Sequence, residues 1–177
     1  MRIPFLAPFA LAALLSPFLA QASEVRTVPA VDLQRYLGQW YEIAAFPMRF
    51  QAQCTGDTTA SYTLRDDGQI GVVNRCKTAD GSVDSANGRA KVVENSGNAR
   101  LRVTFFWPFY GDYWVIGLDP DYQWAVVGHP SREYLWVLSR SPQLSPPALE
   151  AALASAKAQG YSLDKLRFTP QSAAGAR

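Results

Sequence analysis

Leu37-Gly38-Gln39-Trp40-Tyr41-Glu42-Ile43-Ala44 is the stretch on which the reading of the fold turns. Gly38 allows the chain to enter at an angle closed to other residues and leaves room beside it for a large ring. Trp40 then opens a run of strand-favouring residues, placed where an indole can plug one end of a barrel. A tryptophan capping a β-sandwich gives the same local pattern, so the rest of the chain must decide between them.

Downstream, turn signals recur at short intervals between alternating segments. The first strand spans 40–46 and ends at Pro47. Strands at 59–65 and 69–76 flank Asp66-Asp67-Gly68, a hairpin signal rather than a calcium loop, since no ligand spacing follows. A polar loop at 77–85 leads to strands at 88–94 and 100–106, the latter alternating plainly between Leu101, Val103, Phe105 and Arg100, Arg102, Thr104. Strands at 113–118, 124–129 and 134–139 complete eight. Asp32 is a candidate N-cap for a helical turn over 32–37. Ser145-Pro146 begins a helix whose apolar stripe is Leu149, Ala152, Leu153 and Ala156 and which Gly160 ends. A short last strand is expected within 163–168. Eight sequential strands predict an all-β, up-and-down antiparallel barrel of a size that holds one small ligand.

The opening stretch resembles the first strand of lipocalins, particularly bacterial and apolipoprotein D-like members. Asp119-Pro120-Asp121-Tyr122 resembles their second signature in part, and Arg140, at the end of the eighth strand, their third. The resemblance covers about 32–170, following an extended leader at 23–31 and preceding a loose tail at 171–177. It implies an eight-stranded barrel with the C-terminal helix packed outside. Gly38, Trp40, Asp121, Tyr122 and Arg140 would then form the structural signature, with Arg140 against the Trp40 ring at the closed end.

Composition excludes several classes. The 177-residue chain has a net charge of +2 and 18% charged residues, which gives no footprint for nucleic acid. Arg2, an apolar run to Leu19 and Ala20-Gln21-Ala22 form a secretory signal peptide of bacterial style, with cleavage expected after Ala22 and the periplasm as address. No cysteine precedes Cys54, so the lipid-anchored cysteine of some related bacterial lipoproteins is not expected. In an oxidising compartment Cys54 and Cys76 are expected to pair across one hairpin, which adds roughly 3 kcal/mol in the chain-entropy model. Two free thiols are the alternative.

Taking Trp40 as facing inward, alternation puts Glu42, Ala44 and Phe46 on the inner face. The resemblance to apolipoprotein D-like proteins adds Tyr62 and Asn74, and with them Ala60, Leu64, Ile70 and Val72. The later strands contribute Leu101, Val103, Phe105, Trp114, Ile116, Ala125, Val127, Tyr134, Trp136 and Leu138. This lining is mainly apolar, with Glu42, Tyr62, Asn74 and His129 as polar handles. It suits a fatty acid or lysophospholipid held by its acyl chain, stored or carried in the cell envelope. Trp107, Phe109 and Tyr110 are expected at the open end, where they would contact a membrane or a second copy; monomer and homodimer both remain open. No cofactor or metal is implied. An isomerase using a pocket thiol is the enzymatic alternative, but the single histidine and the lack of a nucleophile–base spacing argue against catalysis. A transmembrane barrel is disfavoured by Arg100 and Arg102 on the outer face and by the late helix.

Overall fold

The computed structural model describes residues 23–172. The segment 1–22, where a signal peptide with cleavage after Ala22 is expected, lies outside the described residues, as does 173–177. Eight antiparallel strands form a closed barrel: β1 (Gly38–Ala45), β2 (Cys54–Leu64), β3 (Ile70–Thr78), β4 (Val83–Val92), β5 (Arg100–Phe106), β6 (Phe109–Leu118), β7 (Trp124–Gly128) and β8 (Leu135–Ser139). Each strand pairs with its neighbour in sequence, and β1 closes the ring by pairing with both β8 and β2. A ninth strand, β9 (Arg167–Phe168), continues along β1 beyond the short stretch where β1 meets β2.

The closed end is set by α1 (Leu33–Tyr36), capped as expected by Asp32, whose carboxylate accepts the amides of Gln34 and Arg35. Gly38 follows with φ +93°, a conformation that disfavours other residues, and the chain enters β1 through it. At the outside of the barrel, α2 (Pro146–Ala158) lays the fully buried Ala152 and Ala156 against β6 and β7. Ser145 has the extended backbone of an N-cap, but its side chain makes no capping bond.

Two apolar clusters result. One fills the barrel and contains Trp40, Tyr62, Leu101, Val115, Ala125, Val127 and Leu138; the other lies outside, beneath α2, around Ile43, Ile116, Val126 and Val137. Two β-bulges decide which side chains fall in which cluster. In β1, Glu42 opposes Leu138, yet Ala44 opposes Val137, so one residue is extra and the alternation inverts after Glu42. Ala44 and Phe46 therefore join the outer cluster, Phe46 with its ring 6.2 Å from Tyr161. In β6, Tyr113 opposes inward Leu101 and Trp114 opposes outward Arg100. Alternation from Tyr113 then puts Val115 inside and Ile116 in the outer cluster, and a second bulge between Val115 and Gly117 keeps Gly117 on the outside as well, against Ser155 of α2. The inward placement expected for Phe46 and Ile116 from alternation, and for Trp114 also from the resemblance to a pocket tryptophan of apolipoprotein D-like proteins, is thus corrected.

Three further segments differ from expectation. Leu64 is 54% exposed, at the rim of the closed end rather than in the interior. Of the polar loop expected at 77–85, residues 77–78 belong to β3 and 83–85 to β4, whose first residues pair with β3 but not with β5 and stay exposed. Gln171 and Ser172, expected in a loose tail, fasten the seam between β1 and β2: Gln171 Nε2 donates to the carbonyls of Glu42 and Thr58, and Ser172 donates to the Asp57 carboxylate.

Candidate functional site

The floor of the barrel is built first by the signature residues. Trp40 is fully buried and its Nε1 donates to the Tyr36 carbonyl at 2.8 Å. The Arg140 guanidinium lies 3.8 Å from the centre of the Trp40 ring and donates to the carbonyls of Gln39 and Arg35. Tyr122 accepts the Asp32 amide on its hydroxyl and carries Arg35 over its ring at 4.1 Å. In the same turn Asp119, rather than Asp121, does the work with its carboxylate, which accepts the amides of Asp121 and Gln123. These residues seal one end and leave none of their polar groups directed at a ligand.

Above them stands a group the sequence did not reveal. The hydroxyls of Tyr36 and Tyr62 lie 2.8 and 3.0 Å from that of Tyr113. Burial pushes all three phenols up, Tyr62 to about 12, so the three stay neutral and share their protons as hydrogen bonds. The space enclosed by these rings with Leu33, Leu37 and Ile70 is only about 10 Å³, at the lower limit for one water. Tyr36 lies on α1, outside the expected barrel, and Tyr113 stands one residue before the tryptophan on which the strand was phased. The lower half of the barrel is therefore filled.

The upper half is open. Ala60, Asn74, Val103, Phe105 and Trp136 belong to the inner face but remain only half-buried. Gly88 faces the same space, and any Cβ there would stand 2.8 Å from the Phe105 ring, so the missing side chain is what lets that ring lie flat to the wall. By contrast Tyr62, Leu101, Ala125 and Val127 are buried and belong to the packed part. Trp136 stacks on Tyr134 at 6.0 Å, and Tyr134 lies 6.1 Å from Phe50, whose ring is 60% exposed. A ladder of rings thus runs from the lumen to the mouth.

Polar groups in this space are few. Asn74 has its buried Oδ1 without a partner. Glu42 faces inward but is engaged, accepting from Gln51 Nε2 at 3.0 Å and Thr169 Oγ1 at 2.5 Å, and burial raises its carboxyl above the usual range. His129 is held by Ser131 and by Asp112 at 3.9 Å, at the mouth. Among the described residues no three metal-binding side chains come together. Cys54 and Cys76 form a disulfide between the start of β2 and β3, so both thiols of the chain are committed. At the mouth, Phe106, Trp107 and Phe109 are 73–80% exposed, with Tyr110 half-buried beside them.

Comparison with known proteins agrees with this geometry. A lipocalin-like domain model matches residues 31–171. The chain is 41% identical to temperature-induced lipocalin-1 of Arabidopsis thaliana, covering 87% of each. It is 43% identical to the outer membrane lipoprotein Blc of Citrobacter freundii, covering 83% of each. Apolipoprotein D of Bos taurus is 30% identical, over 79% of this chain and 77% of that one. Among solved structures, insecticyanin of the tobacco hornworm superposes with a TM-score of 0.70 at 22% identity, over 87% and 88% of the two chains. With the sealed floor, the closed barrel and the outer helix all in place, the chain belongs to the lipocalin family.

Proposed function

We propose that the protein binds a fatty acid or lysophospholipid, with the acyl chain in the upper lumen and the polar head at the mouth, and carries or stores it in the cell envelope. One observation supports this above the others: Val103, Phe105 and Trp136 line the inside of a barrel yet stay reachable from its mouth. Apolar surface left wet in this way is recovered by an apolar ligand. The unpartnered Asn74 carbonyl marks where a hydroxyl of the ligand would donate, since a buried acceptor is costly when unpaired. A charged sugar or nucleotide would need more donors than this lining offers.

Binding rather than catalysis follows the character of the family, and the thiol that a pocket isomerase would need is held in the disulfide. The exposed rings of Phe106, Trp107 and Phe109, with Tyr110 beside them, are the surface through which a lipid would be received from a membrane. We place the protein in the periplasm after cleavage behind Ala22; an address in the cell envelope is supported by relatives named outer membrane lipoproteins. Native mass spectrometry of protein purified without detergent, followed by organic extraction, tests the reading. A bound mass that dissociates into a single-chain lipid is the expected outcome, and a polar metabolite bound in its place would overturn it.

A further inference from the structure

The outer face of β4, β5 and β6 carries a cationic cluster that the lumen does not use. Lys91 and Arg102 stand directly opposite each other on neighbouring strands, and both are exposed. Like charges so placed repel, and the strain is relieved by a counter-anion. Neither forms a salt bridge among the described residues. Asp112 opposes Arg102 on β6, but its carboxylate lies near His129 instead. The two cations flank the Tyr110 ring, Lys91 Nζ at 5.7 Å and Arg102 Cζ at 5.5 Å from its centre. A groove of about 310 Å³ lies between these three residues, Val92 and Val93. Arg100 adds a third charge, 4.2 Å over the Trp114 ring.

We propose that this groove takes the phosphate of an anionic lipid headgroup at a membrane surface. A guanidinium fork and an ammonium facing one gap supply directional donors and a point charge, the combination that phosphate oxygens accept. The choice of a lipid surface over a soluble anion comes from continuity. The strands that carry Arg102 and Tyr110 meet at the mouth in Phe106 and Phe109, the most exposed rings among the described residues. Charge on the flank and rings at the tip of one side make the barrel approach a bilayer tilted toward that side, rings in the interface and cations at the headgroups. The inference rests on the membrane contact proposed for the mouth and is independent of what fills the lumen.

Vesicle flotation with the full mature chain tests it. At low salt, vesicles of phosphatidylcholine with about 30 mol% phosphatidylglycerol, an anionic surface of the kind that attracts basic segments, are compared with phosphatidylcholine alone. Each cation near such a surface contributes about fivefold, so the preference for anionic vesicles is expected to be roughly 30-fold for the pair. Lys91→Gln with Arg102→Gln should abolish the preference while fatty-acid titration and near-ultraviolet circular dichroism stay unchanged. Alanines at Phe106, Trp107 and Phe109 should weaken binding to both vesicle types alike. Equal binding of wild type to the two vesicle types, or a preference surviving in the double glutamine variant, overturns the headgroup site but leaves the mouth contact standing. Binding to neither type overturns both. Loss of the preference on adding millimolar inorganic phosphate at constant ionic strength would identify a free-anion site and overturn the lipid assignment.

Discussion

At the scale of single residues, Trp40 and Glu42 sit two positions apart on one strand and do opposite things. Trp40 has no exposed surface, one hydrogen bond from its ring nitrogen and a guanidinium against its face. Trp40→Ala should cost about 3–5 kcal/mol, as large buried side chains do. Ligand affinity, measured on the fraction that remains folded, should hold, because the indole is fully buried, with its nitrogen bonded to the Tyr36 carbonyl and Arg140 against its face. An urea midpoint shifted little while binding vanished would instead put Trp40 in the lumen. Glu42 is buried with two donors that fall short of replacing its water, so its carboxyl titrates above the ordinary range. The folded protein then keeps a proton that the unfolded chain has already released. That contribution to stability is complete below the ordinary carboxylate pKa and is lost as pH rises through the raised value. Glu42→Gln removes the titration, so the difference in urea midpoint between wild type and variant should change across that window in favour of the variant. A constant difference between about pH 4 and pH 8 would show that Glu42 is not the group responsible.

At the scale of elements, the disulfide and the bulges mark the limits of what spacing can tell. Cys54 begins β2 and Cys76 lies near the end of β3, with Cα atoms 5.5 Å apart. Alkylation of unreduced, denatured protein should modify neither cysteine. Replacing both by alanine should lower stability by about 3 kcal/mol; a variant as stable as wild type would make the bond incidental to the fold. The pairing was legible because both cysteines flank a hairpin with an unmistakable turn. So was β5, since Leu101, Val103 and Phe105 alternate with two arginines and a threonine, and so was the cap at Asp32. The interior of β1 and β6 was not. A bulge adds one residue without changing composition, and each residue beyond it exchanges lumen for exterior. This moved Phe46 from the expected pocket to the underside of α2. Trp114 failed for another reason: its aromatic character suits a pocket and an exterior covered by arginine equally well, and only the register against Arg100 decides. The seam at Gln171 was unreadable because its bonds reach back 129 and 113 residues.

At the scale of the molecule, the barrel is a vessel filled at the bottom and open at the top, and its length as a container is set by the tyrosine floor. On the proposed reading, an acyl chain entering past Phe50, Tyr134 and Trp136 would meet apolar walls until it reaches Tyr62, where the remaining void has room for about one water and no length of chain. Affinity for fatty acids and lysophospholipids should therefore rise with chain length and then level off. Each methylene contributes at most about 0.8 kcal/mol, so two carbons raise affinity by up to roughly tenfold in the rising part. The plateau is the more informative half, because it measures the distance from mouth to floor. Ala60→Trp should move it to shorter chains: Ala60 is half-buried on the inner face, so a larger side chain there enters open space rather than packed core. Ala125 would not serve, since it is fully buried between Leu118 and Leu138 and a large ring would break the floor. Calorimetric titration avoids the added indole that would confuse fluorescence quenching. A response flat across chain length in wild type would remove the acyl-binding lumen, and a plateau unmoved in Ala60→Trp would show that the chain lies elsewhere than against β2.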